Sequence, residues 1–112
     1  MNQGAKLIIY PVSDVAKAKR LYGALLGVDP YADTSYYIGF RVGDQEIGLD
    51  PHGHRGVGAV PYYEVDDIKE SLQQLLEAGA ETLADVKDVG GGKLVASVKD
   101  TDGNAIGLVQ NP

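Results

Sequence analysis

The same short signature occurs twice along this chain, and that repetition limits its fold more than any other feature. Tyr10-Pro11-Val12-Ser13-Asp14-Val15 is answered by Tyr63-Glu64-Val65-Asp66-Asp67-Ile68, and Ile47-Gly48-Leu49 by Ile106-Gly107-Leu108. Matched signatures at both ends of two segments point to a duplicated unit. Each copy reads as a strand, an amphipathic helix and further strands. One helix covers only one face of a sheet, so the other face needs a second half. The expected fold is α+β, with two tandem β-α-β-β-β modules forming one curved mixed sheet. At 112 residues and 44% hydrophobic content the chain suits a single domain, 1–112. The first module spans 6–50, a Gly- and Pro-rich linker 51–58, and the second module 59–110.

Local signals set the elements. Lys6 to Val12 is apolar and β-branched, and it stops at Ser13-Asp14, whose side-chain oxygens suit a helix N-cap. Val15, Ala18, Leu21, Tyr22, Leu25 and Leu26 recur at helical spacing and predict one apolar stripe, with Lys17, Lys19 and Arg20 outward and Gly27 as terminator. Asp66-Asp67 caps a second helix, with Ile68, Leu72, Leu75 and Leu76 as its stripe and Gly79 at its end. Strands are expected at 36–42, 45–49, 59–65, 81–88, 93–99 and 105–109.

Gly43-Asp44 is a glycine-first pair suited to a two-residue II′ hairpin, and such a turn fixes register. Val42 then opposes Gln45, Arg41 opposes Glu46, Phe40 opposes Ile47 and Gly39 opposes Gly48. One face carries Ile38, Phe40, Val42, Ile47 and Leu49, which must meet the helix. The other carries Tyr37, Gly39, Arg41, Glu46, Gly48 and Asp50 and turns to water or a cavity.

Bulk chemistry excludes several classes. There is no cysteine, hence no disulfide, thiolate metal site or Cys nucleophile. No apolar run approaches the ~18 residues of a membrane span, so no membrane role and a cytoplasmic location are expected. Net charge is −6, and Lys17, Lys19 and Arg20 form the only basic cluster, which argues against nucleic acid.

The order of these stretches resembles the vicinal oxygen chelate superfamily of glyoxalase I, extradiol dioxygenases, and bleomycin and fosfomycin resistance proteins. Asp14-Val15 through Leu26-Gly27 is similar to the family's first helix, and Val65-Asp66-Asp67-Ile68 through Ala78-Gly79-Ala80 to its second. Asp100-Thr101-Asp102-Gly103-Asn104 with Ala105-Ile106-Gly107-Leu108 resembles its closing motif. The resemblance implies a cupped sheet around a pocket and a homodimer.

It also implies where a metal would bind: one residue from the first and one from the last strand of each module. Those positions here are Leu7, Val60, Gly48 and Gly107, and none offers a donor atom. The usual site is therefore expected to be lost, and no cofactor is expected. The aliphatic and glycine residues predict a roomier, greasier floor at this point, or, alternatively, glycines that only permit strand curvature. A divalent metal remains conceivable only at a non-standard site built from Asp50, His52 and His54, against the plainer reading of solvated linker histidines.

The ligand pocket is expected to involve Leu7, Tyr37, Arg41, Glu46, Gly48, Asp50, Val60, Tyr62, Glu64 and Gly107. Glu46 and Glu64 are the weak catalytic candidates, although Arg41 opposite Glu46 reads more simply as a cross-strand ion pair. Gly90-Gly91-Gly92 lacks the Lys-Ser/Thr of a phosphate loop, and Asp100 to Asn104 lacks the later glutamate of a calcium loop, so both read as turns. Two functions follow. One is a metal-free protein that binds a small molecule in the sheet cavity. The other is a lyase or dioxygenase-type enzyme with displaced ligands or metal-free acid–base residues. A subunit or regulatory role, in which the cavity matters little, stands beside them.

Overall fold

The computed structural model describes residues 2–52 and 58–112. In order, they form β1 (Asn2–Pro11), α1 (Val15–Leu26), β2 (Ala32–Asp33), β3 (Ile38–Val42), β4 (Gln45–Asp50), β5 (Val60–Val65), α2 (Ile68–Glu77), β6 (Glu81–Asp88), β7 (Leu94–Lys99) and β8 (Ala105–Gln110). The fold is α+β, and each half repeats strand–helix–three strands. The first half's extra strand, β2, has only two residues, too short to leave an alternating pattern in the sequence.

The chain divides into two units, Leu7–Ala59 and Met1–Lys6 with Val60–Pro112, so β1 contributes its latter part to the first and its beginning to the second. Strand order is β2-β3-β4-β1 in the first unit and β5-β8-β7-β6 from β5 outward in the second. Both share one logic: β1 pairs in parallel with β4, β5 pairs in parallel with β8, and the remaining neighbours are antiparallel.

The β3–β4 hairpin has the expected register, with Phe40 opposite Ile47, Arg41 opposite Glu46 and Gly39 opposite Gly48. Gly43 supplies the left-handed φ of 62° that the first turn position demands. Both helices start as the sequence signals: Asp14 accepts from the Lys17 N–H and Asp67 from the Glu70 N–H. Gly27, at φ 71°, closes α1. A further helix-start contact comes from outside α2, where the Ile68 N–H donates to Gln110 Oε1 at 2.8 Å.

Each unit has its own helix-side core. Ile38, Phe40, Ile47 and Leu49 are buried in the first, with Ile8, Tyr10, Val12, Val15, Ala18, Tyr22 and Leu26 packed against them. Val65, Ile68, Leu72, Ala96, Val98 and Leu108 fill the second. The expected stripes were too wide. Leu21 and Leu25 are 62% and 71% exposed, and Leu76 is 40% exposed, so these leucines lie outside the packed faces. Val42, at the hairpin tip, is also exposed.

Gly23 stands in mid-α1, where glycine costs roughly 0.5–1 kcal/mol relative to alanine. A Cβ there would meet only Phe40 Cε1, at an ordinary 3.9 Å. Gly23→Ala is therefore expected to stabilise the protein by about 0.5–1 kcal/mol, read as a higher midpoint in thermal unfolding. A lower midpoint would mean that the notch beside Phe40 has to stay open.

Candidate functional site

On the first unit's strands, side chains alternate between the helix side and the opposite face. Register places Leu7 beside Glu46, Ile9 beside Gly48 and Pro11 beside Asp50, with Arg41 and Gly39 across from Glu46 and Gly48. Residues paired in this way point to one side, so Leu7, Arg41, Glu46, Gly48 and Asp50 share the face away from α1. Leu7 is buried, while Arg41 is more than half exposed.

Tyr37 joins them from the turn before β3 instead of from the strand itself. Thr34 builds that turn: its Oγ1 accepts from the Tyr37 N–H at 2.9 Å, and the Thr34 N–H donates to the Tyr37 carbonyl at 3.0 Å. The Tyr37 phenol then lies over Gly48, where a Cβ would run into its hydroxyl and stand 2.9 Å from Cε1 and Cζ. Tyr31 does the same over Gly39, with Cζ and OH 2.8 Å from the place of a Cβ. Gly39 and Gly48 thus do not open a hollow, because two tyrosine rings fill the space that their missing side chains leave.

Tyr31 was not foreseen from the sequence. It lies in the segment between α1 and β2 and is anchored by its own N–H, which donates to the Gly39 carbonyl at 2.9 Å. Its hydroxyl donates to Glu46 Oε1 at 2.6 Å. Arg41 reaches the same oxygen with Nη2 at 3.3 Å, and its Cζ stands 4.3 Å from the Tyr31 ring centroid. Partial burial, the hydrogen bond to Glu46 and the neighbouring Tyr37 push the Tyr31 phenol well above its usual range. It acts as a neutral donor, and Glu46 as the acceptor on which Tyr31 and Arg41 converge. The Arg41–Glu46 ion pair expected from the register is present.

The second unit echoes this arrangement. Tyr62 is paired with Gly107 and Glu64 with Val109. The Tyr62 ring covers Gly107, where a Cβ would be 2.5 Å from Cγ and 2.6 Å from Cε2. Glu64 Oε2 accepts from Asn111 Nδ2 at 2.5 Å, a partner the sequence did not suggest. Val60, Tyr62, Glu64 and Gly107 thus share one strand face of this unit, and Leu7, Tyr37, Arg41, Glu46, Gly48 and Asp50 share one of the other.

Asp50 is committed locally, with Oδ1 accepting from the His52 N–H at 2.8 Å; His54 lies outside the described residues. Among the described residues, no group of three or more His, Cys, Asp or Glu is placed to hold a metal. Asp100 closes its own turn by accepting from the N–H groups of Asp102 and Asn104 and from Asn104 Nδ2, and the Asn104 contacts hold its carboxyl below the usual range. Among the described residues, two cavities lie away from the strand faces just described. One, of about 290 Å³, borders α1 at Arg20, Gly23 and Val28. The other, of about 450 Å³, lies against α2 at Asp67, Ser71 and Leu75.

A family model for the Glyoxalase/Bleomycin resistance protein/Dioxygenase superfamily matches residues 5–108. The chain belongs to this superfamily. Solved structures agree at the level of fold. The hypothetical protein BH1468 from Bacillus halodurans C-125 is 17% identical with a TM-score of 0.80, covering 99% of this chain and 95% of that one. Methylmalonyl-CoA epimerase from Mycobacterium tuberculosis is also 17% identical, at TM-score 0.78 with 99% and 89% covered. A glyoxalase/bleomycin resistance protein/dioxygenase superfamily member from Vibrio splendidus 12B01 is 13% identical over the whole of both chains, at TM-score 0.76. No curated protein sequence matches significantly.

Within the superfamily frame, the residues at the implied metal positions do not fit a metal. Leu7 and Val60 carry no donor atom. At Gly48 and Gly107 the space for a ligating side chain is taken by Tyr37 and Tyr62. The roomier floor expected at Gly48 and Gly107 is likewise absent, because tyrosine rings fill the space.

Proposed function

We propose that this superfamily member is a metal-independent small-molecule-binding protein, with its site on the helix-free face of the first unit at Tyr31, Tyr37, Arg41 and Glu46. One observation carries the reading: Tyr37 lies where a last-strand ligand would begin its side chain, so tyrosine hydroxyls and one carboxylate replace metal-binding groups. Aromatic surface with a few convergent polar groups is the usual lining of a small-molecule site. The homodimer and the cytoplasmic location expected from the sequence belong to this proposal. Among the described residues, no helix is long and apolar enough to cross a membrane.

A second reading has its own support. Glu46 is 2.6 Å from a phenol that stays protonated, an arrangement suited to moving a proton on a carbonyl compound. The fold shared with methylmalonyl-CoA epimerase is compatible with it.

Both readings are tested on the purified chain by metal analysis after exposure to nickel, zinc, manganese and iron, followed by NMR screening of neutral, anionic and cationic fragments. The expected result is no stoichiometric metal, with fragment-induced shifts at Tyr31, Tyr37 and Glu46. Tight metal that is lost on changing His52 and His54, or fragments that bind only elsewhere, would overturn the proposal. Deuterium incorporation into a bound carbonyl compound in heavy water would favour the acid–base reading over simple binding.

A further inference from the structure

We propose that Glu46 and Tyr31 form a receptor for a small organic cation, a guanidinium or alkylammonium group, and that Arg41 of the same chain fills it as a displaceable internal occupant. This inference rests on the small-molecule site proposed above and gives its ligand a chemical class. The Arg41 guanidinium makes the two contacts such a ligand would make: one ion-pair contact to Glu46 at 3.3 Å and a cation–π contact at 4.3 Å to the Tyr31 ring centroid.

The two halves of this arrangement are held unequally. The receptor groups are tied to the fold, although Tyr31 is 47% exposed. Tyr31 is anchored by its backbone bond to Gly39 and by the space over that glycine, and its hydroxyl orients Glu46 through a 2.6 Å bond. The Glu46 side chain is only 22% exposed.

The occupant is loose. Arg41's side chain is 56% exposed and touches Glu46 through one nitrogen at a long distance, without the paired bonds of a strong arginine–carboxylate contact. Ion pairs and cation–π contacts at exposed positions are weak. An acceptor pair anchored by hydrogen bonds, with a weakly held cation on it, is a site closed by its own chain. The net charge of −6 adds a field that favours a cation over an anion.

Internal occupancy lowers apparent affinity in proportion to the fraction of time the site is open. If Arg41 fills it about nine-tenths of the time, an external cation binds about tenfold more weakly than it would to the empty site.

The test uses methylguanidinium and tetramethylammonium chlorides as probes, acetate and benzoate as anionic controls, and sodium chloride to match ionic strength. Shifts are followed by NMR on the full chain, on Arg41→Ala and on Arg41→Gln, which keeps a longer, polar but uncharged side chain if the alanine variant folds poorly. The expected result is saturable shifts at the Tyr31 ring and Glu46, with affinity about tenfold higher in the Arg41 variants, and loss of binding when Glu46→Gln is added. Equal affinity with and without Arg41, or binding that survives Glu46→Gln, would overturn the inference. So would anion binding that disappears with Arg41, which would make the guanidinium itself the receptor. If neutral or anionic fragments bind at Tyr37 while cations do not, the cation class fails and the site stands; if none binds there, both fail.

Discussion

Phe40→Ala is expected to destabilise the protein by about 3–5 kcal/mol, a large part of the 5–15 kcal/mol that holds a typical domain together. Phe40 has no exposed surface and heads the fully buried side chains by volume. Ile38, Ile47 and Leu49 surround it, and the partly buried residues of α1 rest on this group. No residue of α1 is itself fully buried, so the helix is held by partial contacts spread along one side. Truncating Phe40 leaves a cavity under that side. Beside it, Gly23 has no side chain to collapse inward, which keeps the loss near the upper part of the range. Urea unfolding measures the change, and amide exchange locates it. Exchange in α1 should accelerate more than in α2, whose core of Ile68, Leu72 and Val98 is a separate cluster. A loss under about 1 kcal/mol, below the range for a buried aromatic, would mean that α1 does not depend on this ring.

The contrast between Phe40 and Leu25 shows what the sequence could and could not reveal. Phe40 was assigned to the helix side because the Gly43-Asp44 turn has two residues and leaves the register no freedom. The helix starts were legible for a similar reason: Asp14 and Asp67 act within one turn of themselves. Leu21 and Leu25 were misplaced because helical spacing alone cannot fix the width of a buried stripe. Their neighbours Tyr22 and Leu26 reach the sheet and they do not, a difference set by packing direction. Tyr31 was missed because a loop has no period to show where its side chain points. The glycines misled in a further way. A sequence shows that a side chain is missing but not what another part of the chain puts in its place. At Gly39, Gly48 and Gly107 the answer is a tyrosine each time.

That answer leads to the second large effect, Gly107→Ala, expected to cost about 1–3 kcal/mol by overpacking. The added Cβ would stand 2.5 Å from Tyr62 Cγ, the ring atom nearest its backbone. Cγ cannot swing aside as a side-chain tip can, so either χ1 of Tyr62 or the β5–β8 pairing must shift. Gly48→Ala should cost less, because the first atom it meets is the hydroxyl at the far end of Tyr37. The decisive measurement is a double-mutant cycle by urea unfolding. Tyr62→Ala removes the obstruction, so the double variant should be more stable than the two single losses predict, with a coupling of about 1 kcal/mol or more. Simple additivity would mean that the ring does not lie over Gly107 in solution. The position would then have room for a ligating side chain, and the proposed replacement of metal ligands by tyrosine would lose its second instance. A strong coupling carries the opposite consequence: histidine or glutamate could not be introduced at Gly107 without first removing Tyr62, so placing a metal ligand there would take two coordinated changes.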